Sequence, residues 1–213
     1  MTPVSVAVLG SGGGTNLQAL LDGLGPTAAA RVARVIWSRA DAAALERARR
    51  AGVPSVVVAA PSDADEMLAA LGDARLAVLA GYVKRIPAAV VARFRWRLIN
   101  IHPALLPGFG GPGMYGRRVH AAVLASGAAV SGATVHYVDD VYDSGAIIAQ
   151  WPVPVHAGDT PESLAARVLT AEHRLLPLVV LELARRGVPE RPVRLFAAGA
   201  AFLTGDHGEI DIR

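Results

Sequence analysis

The sequence VSVAVLGSGGGTNLQALLDGL, residues 4–24, decides the fold class. Residues 4–10 form an apolar, valine-rich run with the length of a buried β-strand. A glycine-rich turn follows, and the spacing of apolar residues over 16–24 predicts a helix. Strand, tight turn and helix in this order are typical of the opening unit of a parallel α/β sheet.

The same alternation continues through the first half of the chain. Apolar runs too continuous for a half-exposed strand alternate with amphipathic segments, which indicates a parallel sheet covered by helices on both faces. The helix that follows the third strand is predicted to begin at a Ser62 N-cap. The predicted strands are 31–38, 54–60, 76–82 and 97–102, and the predicted helices are 41–52, 62–73 and 87–94.

The pattern changes after the fifth strand. A glycine-rich loop at 107–116 leads into a predicted helix at 117–127. Residues 130–140 and 146–155 alternate more and are joined by a short polar turn, which predicts an antiparallel or mixed strand pair. We therefore predict a Rossmann-like, mostly parallel sheet with helices on both faces, extended by this strand pair and by a long C-terminal helix.

The long helix is predicted over residues 160–187. Thr160 is its predicted N-cap and Pro161 its first residue, while Gly187 is its predicted C-cap. Pro177 lies in its interior and predicts a kink, because proline cannot donate the hydrogen bond of the helix ladder.

Composition limits the class of protein. The chain has 213 residues, 53% of them hydrophobic, which favours one compact core and leaves residues 188–213 as a weakly patterned tail. No apolar run reaches the roughly 20 residues of a membrane helix, and the opening residues lack the basic leader of a signal peptide. Cysteine is absent, which excludes disulfides and thiolate metal sites and fits a cytoplasmic protein.

The charge balance does not favour nucleic acid as a partner. The formal net charge is +3, and Lys84 is the only lysine. The arginines are scattered, and no basic block interleaved with aromatic residues occurs.

The turn GSGGGTN, residues 10–16, predicts an anion site. A glycine-rich turn into a helix presents backbone N–H groups and the positive end of the helix dipole. Thr15 and Asn16 add side-chain donors, so one interpretation is a terminal phosphate held by Gly13, Gly14, Thr15 and Asn16.

Other interpretations of this turn stay open. A dinucleotide fingerprint would use Gly10 and Gly12, but its third glycine is replaced by Thr15; Arg39 could serve an NADP phosphate. A Walker A loop fails because it needs lysine at the position of Asn16. The turn could also be purely structural, with Thr15 or Asn16 capping the helix.

Asn100 and His102 mark the end of the fifth strand. Residues i and i+2 share one face of a strand, and parallel α/β sheets bind ligands at the carboxyl ends of their strands. The two side chains could therefore donate hydrogen bonds to one developing oxyanion. Alternatively, His102 is an ordinary structural histidine.

A carboxylate is available to partner that histidine. The polar turn DDVYDSG, residues 139–145, supplies Asp139, Asp140 and Asp143. An acid beside His102 would orient its ring, raise its pKa and help to move a proton.

The same residues carry two further expectations. Because no serine, cysteine or lysine stands out as a nucleophile, direct attack on a carbonyl by an amine or by water is expected. A metal site built from His102, His120, His136 and Asp143 is disfavoured, since their spacings match no ligand motif.

Six segments together resemble the folate-dependent formyltransferases. The resemblance covers roughly residues 4–186, includes an N-I-H-P-S-L-L-P type signature, and is highly specific as a combination although no segment is specific alone. The segments are GSGGGTNLQAL (10–20), SRADAAALERARRAGVP (38–54), LAGYVKRI (79–86), NIHPALLPGFGG (100–111), GATVHYVDDVYDSGAIIAQ (132–150) and AEHRLLP (171–177).

The resemblance implies transfer of a formyl group from 10-formyltetrahydrofolate to the amine of glycinamide ribonucleotide, in purine biosynthesis. By position it implies Asn100, His102 and Asp143 as catalytic residues and Glu172 as a ribose contact, with no metal. It also assigns the ribonucleotide phosphate to the first loop. The residues it implies for folate binding are Val83, Lys84, Arg85, Ile86, Val91, Leu98, Val138, Asp139 and Asp140.

The resemblance also implies an organisation. Residues 1–187 would form one formyltransferase domain, with 1–102 binding the ribonucleotide phosphate and 103–187 serving folate and catalysis. Small-molecule substrates, no membrane and a monomer or homodimer are expected.

Three alternatives remain. Formyltetrahydrofolate hydrolase would use the same trio but usually carries an added N-terminal domain. Methionyl-tRNA formyltransferase would add a C-terminal barrel, for which the chain is expected to be too short. An NADP-binding oxidoreductase is the alternative from another class.

The sequence departs from the family at two places. Residues 59–73 lack the arginine with which many members reach folate. The loop GFGGPGMYGRRVH, residues 108–120, replaces a P-G-x-H type segment, and its Met114 and Tyr115 are candidates either for substrate contact or for packing within the loop.

Overall fold

The computed structural model describes residues 2–25, 28–40 and 43–195. Seven strands form one sheet in the order β3-β2-β1-β4-β5-β6-β7. The elements in chain order are β1 (Val4–Gly10), α1 (Thr15–Gly23), β2 (Ala30–Trp37), α2 (Ala43–Arg50), β3 (Ser55–Val57), α3 (Ala64–Leu71), β4 (Leu76–Leu79), α4 (Ala88–Arg93), β5 (Leu98–His102), α5 (Arg117–Ala125), β6 (Val130–Tyr137), β7 (Ile147–Pro154) and α6 (Pro161–Arg185).

The predicted fold class is confirmed. Strands β1 to β5 pair in parallel, whereas β6 pairs antiparallel with β5 and with β7. The strand order reverses between β1 and β4, which is where open α/β sheets form a ligand crevice. The β5–β6 register places Asn100 opposite His136 and His102 opposite Thr134.

The sheet separates two clusters of core residues. Strand β1 is apolar on both faces, so Val6 and Val8 enter one cluster while Ala7 and Leu9 enter the other. The first cluster is covered by α1 and α6, and the second by α3 and α4. This double cover explains why the parallel strands are continuous apolar runs.

Helix α6 begins as predicted. The Thr160 hydroxyl accepts a hydrogen bond from the Ser163 N–H, the Ser163 hydroxyl reciprocates at the Thr160 N–H, and Pro161 follows the cap. The helix continues through Pro177. Its C-cap is Arg186 rather than the predicted Gly187, because Gly187 takes the left-handed position after the cap, with φ 81°.

Several other predicted boundaries were wrong, and two of them have a clear structural reason. Helix α3 is capped by Asp63, whose carboxylate accepts the Asp65 and Glu66 N–H groups, and not by Ser62. Strand β3 spans three residues instead of 54–60, since it is an exposed edge strand held only by β2.

The first residues of the predicted tail pack on the body of the protein. The Leu195 N–H donates to the Ile148 carbonyl over 2.7 Å, and the Val193 N–H donates to the Tyr137 hydroxyl over 3.2 Å. The rest of the tail prediction, residues 196–213, lies outside the described residues. No helix among the described residues is both long and apolar enough to cross a membrane.

Candidate active site

A cavity of about 720 Å³ opens at the carboxyl edge of the sheet. The ends of β4, β5 and β6 form its floor, and the loops after them form its walls. Several of the sequence-predicted site residues line it: Asn16, Val83, Lys84, Arg85, Ile86, Asn100, His102, Val138, Asp139, Asp140, Asp143 and Glu172.

Asn100, His102 and Asp143 converge at this cavity. Strand β5 aligns the first two on one face, as its alternation predicts. The loop between β6 and β7 brings an Asp143 carboxylate oxygen to 3.6 Å from His102 Nδ1. The carboxylate is only 11% exposed, so little water screens it from the ring.

His136 joins this group and was missed as a site residue. Its Nδ1 lies 2.8 Å from the Tyr137 carbonyl, which can only accept, so Nδ1 carries a hydrogen; in the neutral ring Nε2 is then an acceptor. The Asn100 amide nitrogen lies 3.0 Å from that Nε2, and an Asp143 oxygen lies 3.6 Å from it. The signal was its position on β6 opposite Asn100, which only the strand register reveals.

Backbone atoms of the glycine-rich loop 107–116 contact both His102 and Asp143. His102 Nε2 lies 2.9 Å from the Phe109 carbonyl, and the Gly111 N–H donates to Asp143 over 2.9 Å. Asp143 itself has φ 55°, a left-handed conformation that is costly for a non-glycine residue. The loop and the β6–β7 turn therefore fix both ring and carboxylate.

Burial and charge set the protonation states in opposite directions. Burial lowers the pKa of His102, and the nearby Asp143 charge offsets part of that effect. For Asp143, burial acts to raise the pKa, but contacts with His136, His102 and the Gly111 N–H outweigh it and leave the pKa below its usual value. Around neutral pH the His102 imidazole is therefore neutral and the Asp143 carboxylate beside it is ionised.

A buried hydroxyl holds the chain that follows His102. Thr134 Oγ1 donates to the Ala104 carbonyl over 2.6 Å and accepts the Leu106 N–H over 3.1 Å. The Gln150 amide donates to the Leu106 carbonyl over 2.8 Å. These bonds tie the segment after β5 to β6 and β7.

The first loop is rigidly built. A Cβ on Gly14 would lie 2.6 Å from the Ala44 Cβ, and Gly14 has φ 76°, so glycine is required there. Two loop carbonyls are already engaged by side chains: the Trp37 indole donates to Gly12 and the Arg47 guanidinium to Gly13. The N–H groups at the start of α1 keep no intrahelical partner, as an anion site requires.

The structural interpretation of Thr15 and Asn16 as caps was wrong. The N-cap of α1 is Gly14, and no side chain caps the helix. Asn16 instead lies in the first turn, buried, and its amide donates to Glu172 over 2.6 Å. The Asn16 side-chain oxygen is buried and has no hydrogen-bond partner among the described residues.

Glu172 joins α6 to the first loop across 156 positions of sequence. It is 7% exposed, and this burial raises its pKa to about 7, although the Asn16 hydrogen bond acts in the opposite direction. The carboxyl is therefore partly protonated at neutral pH.

We expect Glu172→Gln to flatten the pH dependence of stability. A folded-state pKa above the unfolded value gives stability that is complete below the unfolded pKa and is lost as pH rises through the folded one. From the usual value of 4.5 to about 7, the loss is roughly 3 kcal/mol. Urea unfolding at pH 4.5 and pH 8 measures it.

The parent protein and Glu172→Gln are compared by their free energies of unfolding at each pH. Glutamine keeps an acceptor for Asn16 but does not titrate. If the free energy of unfolding of both proteins changes equally between the two pH values, Glu172 does not carry the raised pKa.

Comparison with known proteins shows the family of this chain. The chain matches the family described as formyl transferase over residues 4–180. It belongs to the formyltransferase family. A phosphoribosylglycinamide formyltransferase from Escherichia coli strain K12 is 37% identical over 190 residues, which cover 83% of this chain and 85% of the relative.

Other relatives extend the match. The chloroplastic phosphoribosylglycinamide formyltransferase of Arabidopsis thaliana is 43% identical over 186 residues, covering 82% of this chain and 63% of the relative. The formyltransferase chain thus spans less than two thirds of that longer relative. The crystal structure of the phosphoribosylglycinamide formyltransferase from Anaplasma phagocytophilum superposes with a TM-score of 0.81 at 36% identity, covering 87% of this chain and 88% of that one.

The residues that the formyltransferase resemblance assigns to folate fall into two groups. Seven line the cavity, and among them the Arg85 guanidinium donates to the Asp140 carbonyl across its mouth over 3.4 Å. Leu98 is 1% exposed in the core beneath the cavity, and Val91 packs against the same cluster, so neither is a wall residue.

The remaining assignments have similarly mixed positions. Met114 and Tyr115 of the unusual loop line the cavity, and the Arg118 guanidinium lies 5.4 Å from the Tyr115 ring centre. Gly13, Gly14 and Thr15 lie in the first loop beside Asn16 rather than on the cavity wall. In the described ranges, no group of three or more ligand-type side chains is arranged to hold a metal ion.

Proposed function

We propose that this formyltransferase moves the formyl group of 10-formyltetrahydrofolate to the amine of glycinamide ribonucleotide, in purine biosynthesis. The observation that carries the proposal is the convergence of Asn100, His102 and Asp143 on one cavity that Asn16 and Glu172 also line. The proposed carbonyl-activating residues and Asn16, at the end of the proposed phosphate loop, thus line one space.

The proposed step is direct attack. The amine nitrogen bonds to the formyl carbon, and the carbonyl electron pair moves to oxygen, giving a tetrahedral intermediate. Asn100 and His102 donate hydrogen bonds to that oxyanion. The bond between the carbon and N10 of folate then breaks, and the proton lost by the amine goes to N10, so that tetrahydrofolate leaves.

His102 must change partner during this step. Its Nε2 hydrogen points to the Phe109 carbonyl in the free protein. We expect the formyl oxygen to replace that carbonyl as acceptor. Negative charge on the oxygen would then raise the pKa of His102, and Asp143 would stabilise the resulting imidazolium.

Different residues are proposed to bind the two substrates. We propose that Gly13, Gly14, Thr15 and Asn16 bind the ribonucleotide phosphate and that Glu172 binds its ribose. Folate would lie against the 83–86 segment and the 138–140 segment, with Val91 and Leu98 supporting the wall from the core.

The deciding assay supplies purified protein with 10-formyltetrahydrofolate, with and without glycinamide ribonucleotide. The proposal expects tetrahydrofolate release that requires the ribonucleotide and matches the formylated product one to one. Release at the same rate without the ribonucleotide would instead identify a hydrolase that uses water as acceptor.

We expect Asn16→Leu to raise the KM for the ribonucleotide by about tenfold or more, because the proposed charge-assisted hydrogen bond from the Asn16 amide to the phosphate is lost. The KM for the folate donor should stay within about twofold and serves as the internal control. A defect confined to the folate KM would contradict this map of the cavity.

The organisation follows from the same proposal. We propose that residues 1–187 form one domain, since β5 and β6 pair across the boundary between 1–102 and 103–187 and residues of both parts line the cavity. A cytoplasmic location and a monomer or homodimer remain predictions.

A further inference from the structure

We propose a second anion-binding site, suited to the phosphate groups of a small molecule, in an arginine hollow far from the catalytic cavity. The hollow has a volume of about 880 Å³. Arg75, Arg97, Arg186 and Arg191 line it, and Glu190 is the one acidic side chain among its described lining residues.

The hollow lies at the opposite edge of the sheet. Arg75 directly precedes β4 and Arg97 directly precedes β5, so both stand at the amino ends of parallel strands. Asn100 and His102 stand at the carboxyl end of the same β5. The arginine hollow is therefore separate from the cavity that serves the proposed transfer.

The arginines are held in place by the protein. The Arg75 guanidinium donates to the Gly187 carbonyl over 3.0 Å, just after α6 ends. Arg97 donates to the Arg93 carbonyl over 2.6 Å, and Arg186 donates from Nε to Glu182 over 2.7 Å. Each of these bonds uses one of the five N–H groups of a guanidinium, so donors remain for a ligand.

The positive charge of the hollow is only partly balanced, because four arginines face two carboxylates: Glu182, which pairs with Arg186, and Glu190 in the lining. Burial lowers the pKa of Arg97, and the neighbouring Arg93 and Arg75 charges lower it further, while Glu190 acts in the opposite direction. Like charges gathered in a concavity focus a positive potential. An anion is the ligand that would relieve it.

Phosphate is the anion that this geometry fits. The planar guanidinium fork matches two phosphate oxygens at once, and arginines from three parts of the chain can surround a compact group. A concave hollow favours a small molecule, whereas nucleic acid is usually met by a stripe of basic residues along a face. A pyrophosphate or the phosphates of a nucleotide are the expected class.

The test titrates the full 213-residue chain with inorganic pyrophosphate by calorimetry at low salt. Two variants remove charge from the hollow: the single variant Arg191→Gln and the double variant Arg97→Gln with Arg191→Gln. The control is Arg95→Gln, which removes a charge close to Arg97 in sequence but outside the hollow. Repeating each titration in the Asn16→Leu background removes the contribution of the first loop.

The expected result is binding that survives Asn16→Leu, weakens about tenfold or more in the double variant, and stays within about twofold in Arg95→Gln. Arg191 is exposed, so its single variant tests the site without a risk to folding. Equal affinities in all proteins, an equal loss in Arg95→Gln, or no binding would overturn the proposal. So would tighter binding of a single-stranded oligonucleotide than of pyrophosphate.

Discussion

Asp143→Asn is expected to lower turnover by about 10²–10⁴-fold, the usual contribution of a positioned acid–base group. The asparagine keeps the volume and can still accept the Gly111 N–H, which lies 2.9 Å from the carboxylate. It loses the negative charge that faces His102 at 3.6 Å. The imidazolium that forms during transfer would then have no counter-charge in a buried site.

The pH profile separates this role from a merely structural one. The Asp143 charge acts to raise the pKa of His102, so its removal lowers that pKa further. Any limb of the kcat/KM profile that reports His102 should therefore move to lower pH in the variant. Steady-state rates from pH 5 to pH 9 measure the shift.

Asp65→Asn is the matched control, because it removes an exposed carboxylate on α3, outside the cavity. Its turnover should stay within about twofold of the parent protein, and thermal unfolding should show that both variants fold. Full turnover in Asp143→Asn with an unshifted profile would remove Asp143 from the mechanism.

Much of the fold was predictable from local sequence patterns, because the apolar residues of a strand or helix indicate which of its faces are buried. Residues 4–10 are apolar on both faces because helices cover the sheet on both sides. Strand β6, which was predicted to alternate, is buried at seven of its eight residues. Boundaries were less accurate. Asp63 and Ser62 are equally good N-caps by sequence, and only the path of the chain decides between them.

The site was predictable in part. Strand alternation alone aligned Asn100 with His102, but it could not say which aspartate of the following turn meets the ring. The bond between Asn16 and Glu172 joins residues 156 positions apart, and no local pattern encodes it. His136 was missed for the same reason, since its role depends on the β5–β6 register.

Backbone contacts in the loops are the part of the site that the sequence could not predict. The Phe109 carbonyl and the Gly111 N–H hold His102 and Asp143 through backbone atoms, and backbone contacts leave no signature in side-chain type. The family resemblance supplied the role of Asp143, whereas the structure supplies its geometry.

Asn100→Leu is expected to lower kcat by about 10²–10³-fold, as the loss of one oxyanion donor does. The amide nitrogen carries two hydrogens, and one of them is directed to His136 Nε2 over 3.0 Å. In the neutral ring, whose one hydrogen on Nδ1 goes to the Tyr137 carbonyl, His136 Nε2 accepts this amide hydrogen. This pairing fixes the amide orientation and leaves the second hydrogen for the cavity.

Two variants distinguish donation from packing. Leucine keeps a similar volume without a donor, and Asn100→Asp keeps the shape but replaces the donor by a charge that repels an oxyanion. We expect kcat to fall in both, with the aspartate at least as impaired, while the KM for the ribonucleotide changes by less than about threefold. The loss of the His136 contact should cost about 1–3 kcal/mol of unfolding free energy in Asn100→Leu, which urea titration measures separately. An unchanged kcat in the aspartate variant would mean that no negative charge develops beside residue 100, and the formyl oxygen would have to be stabilised elsewhere in the cavity.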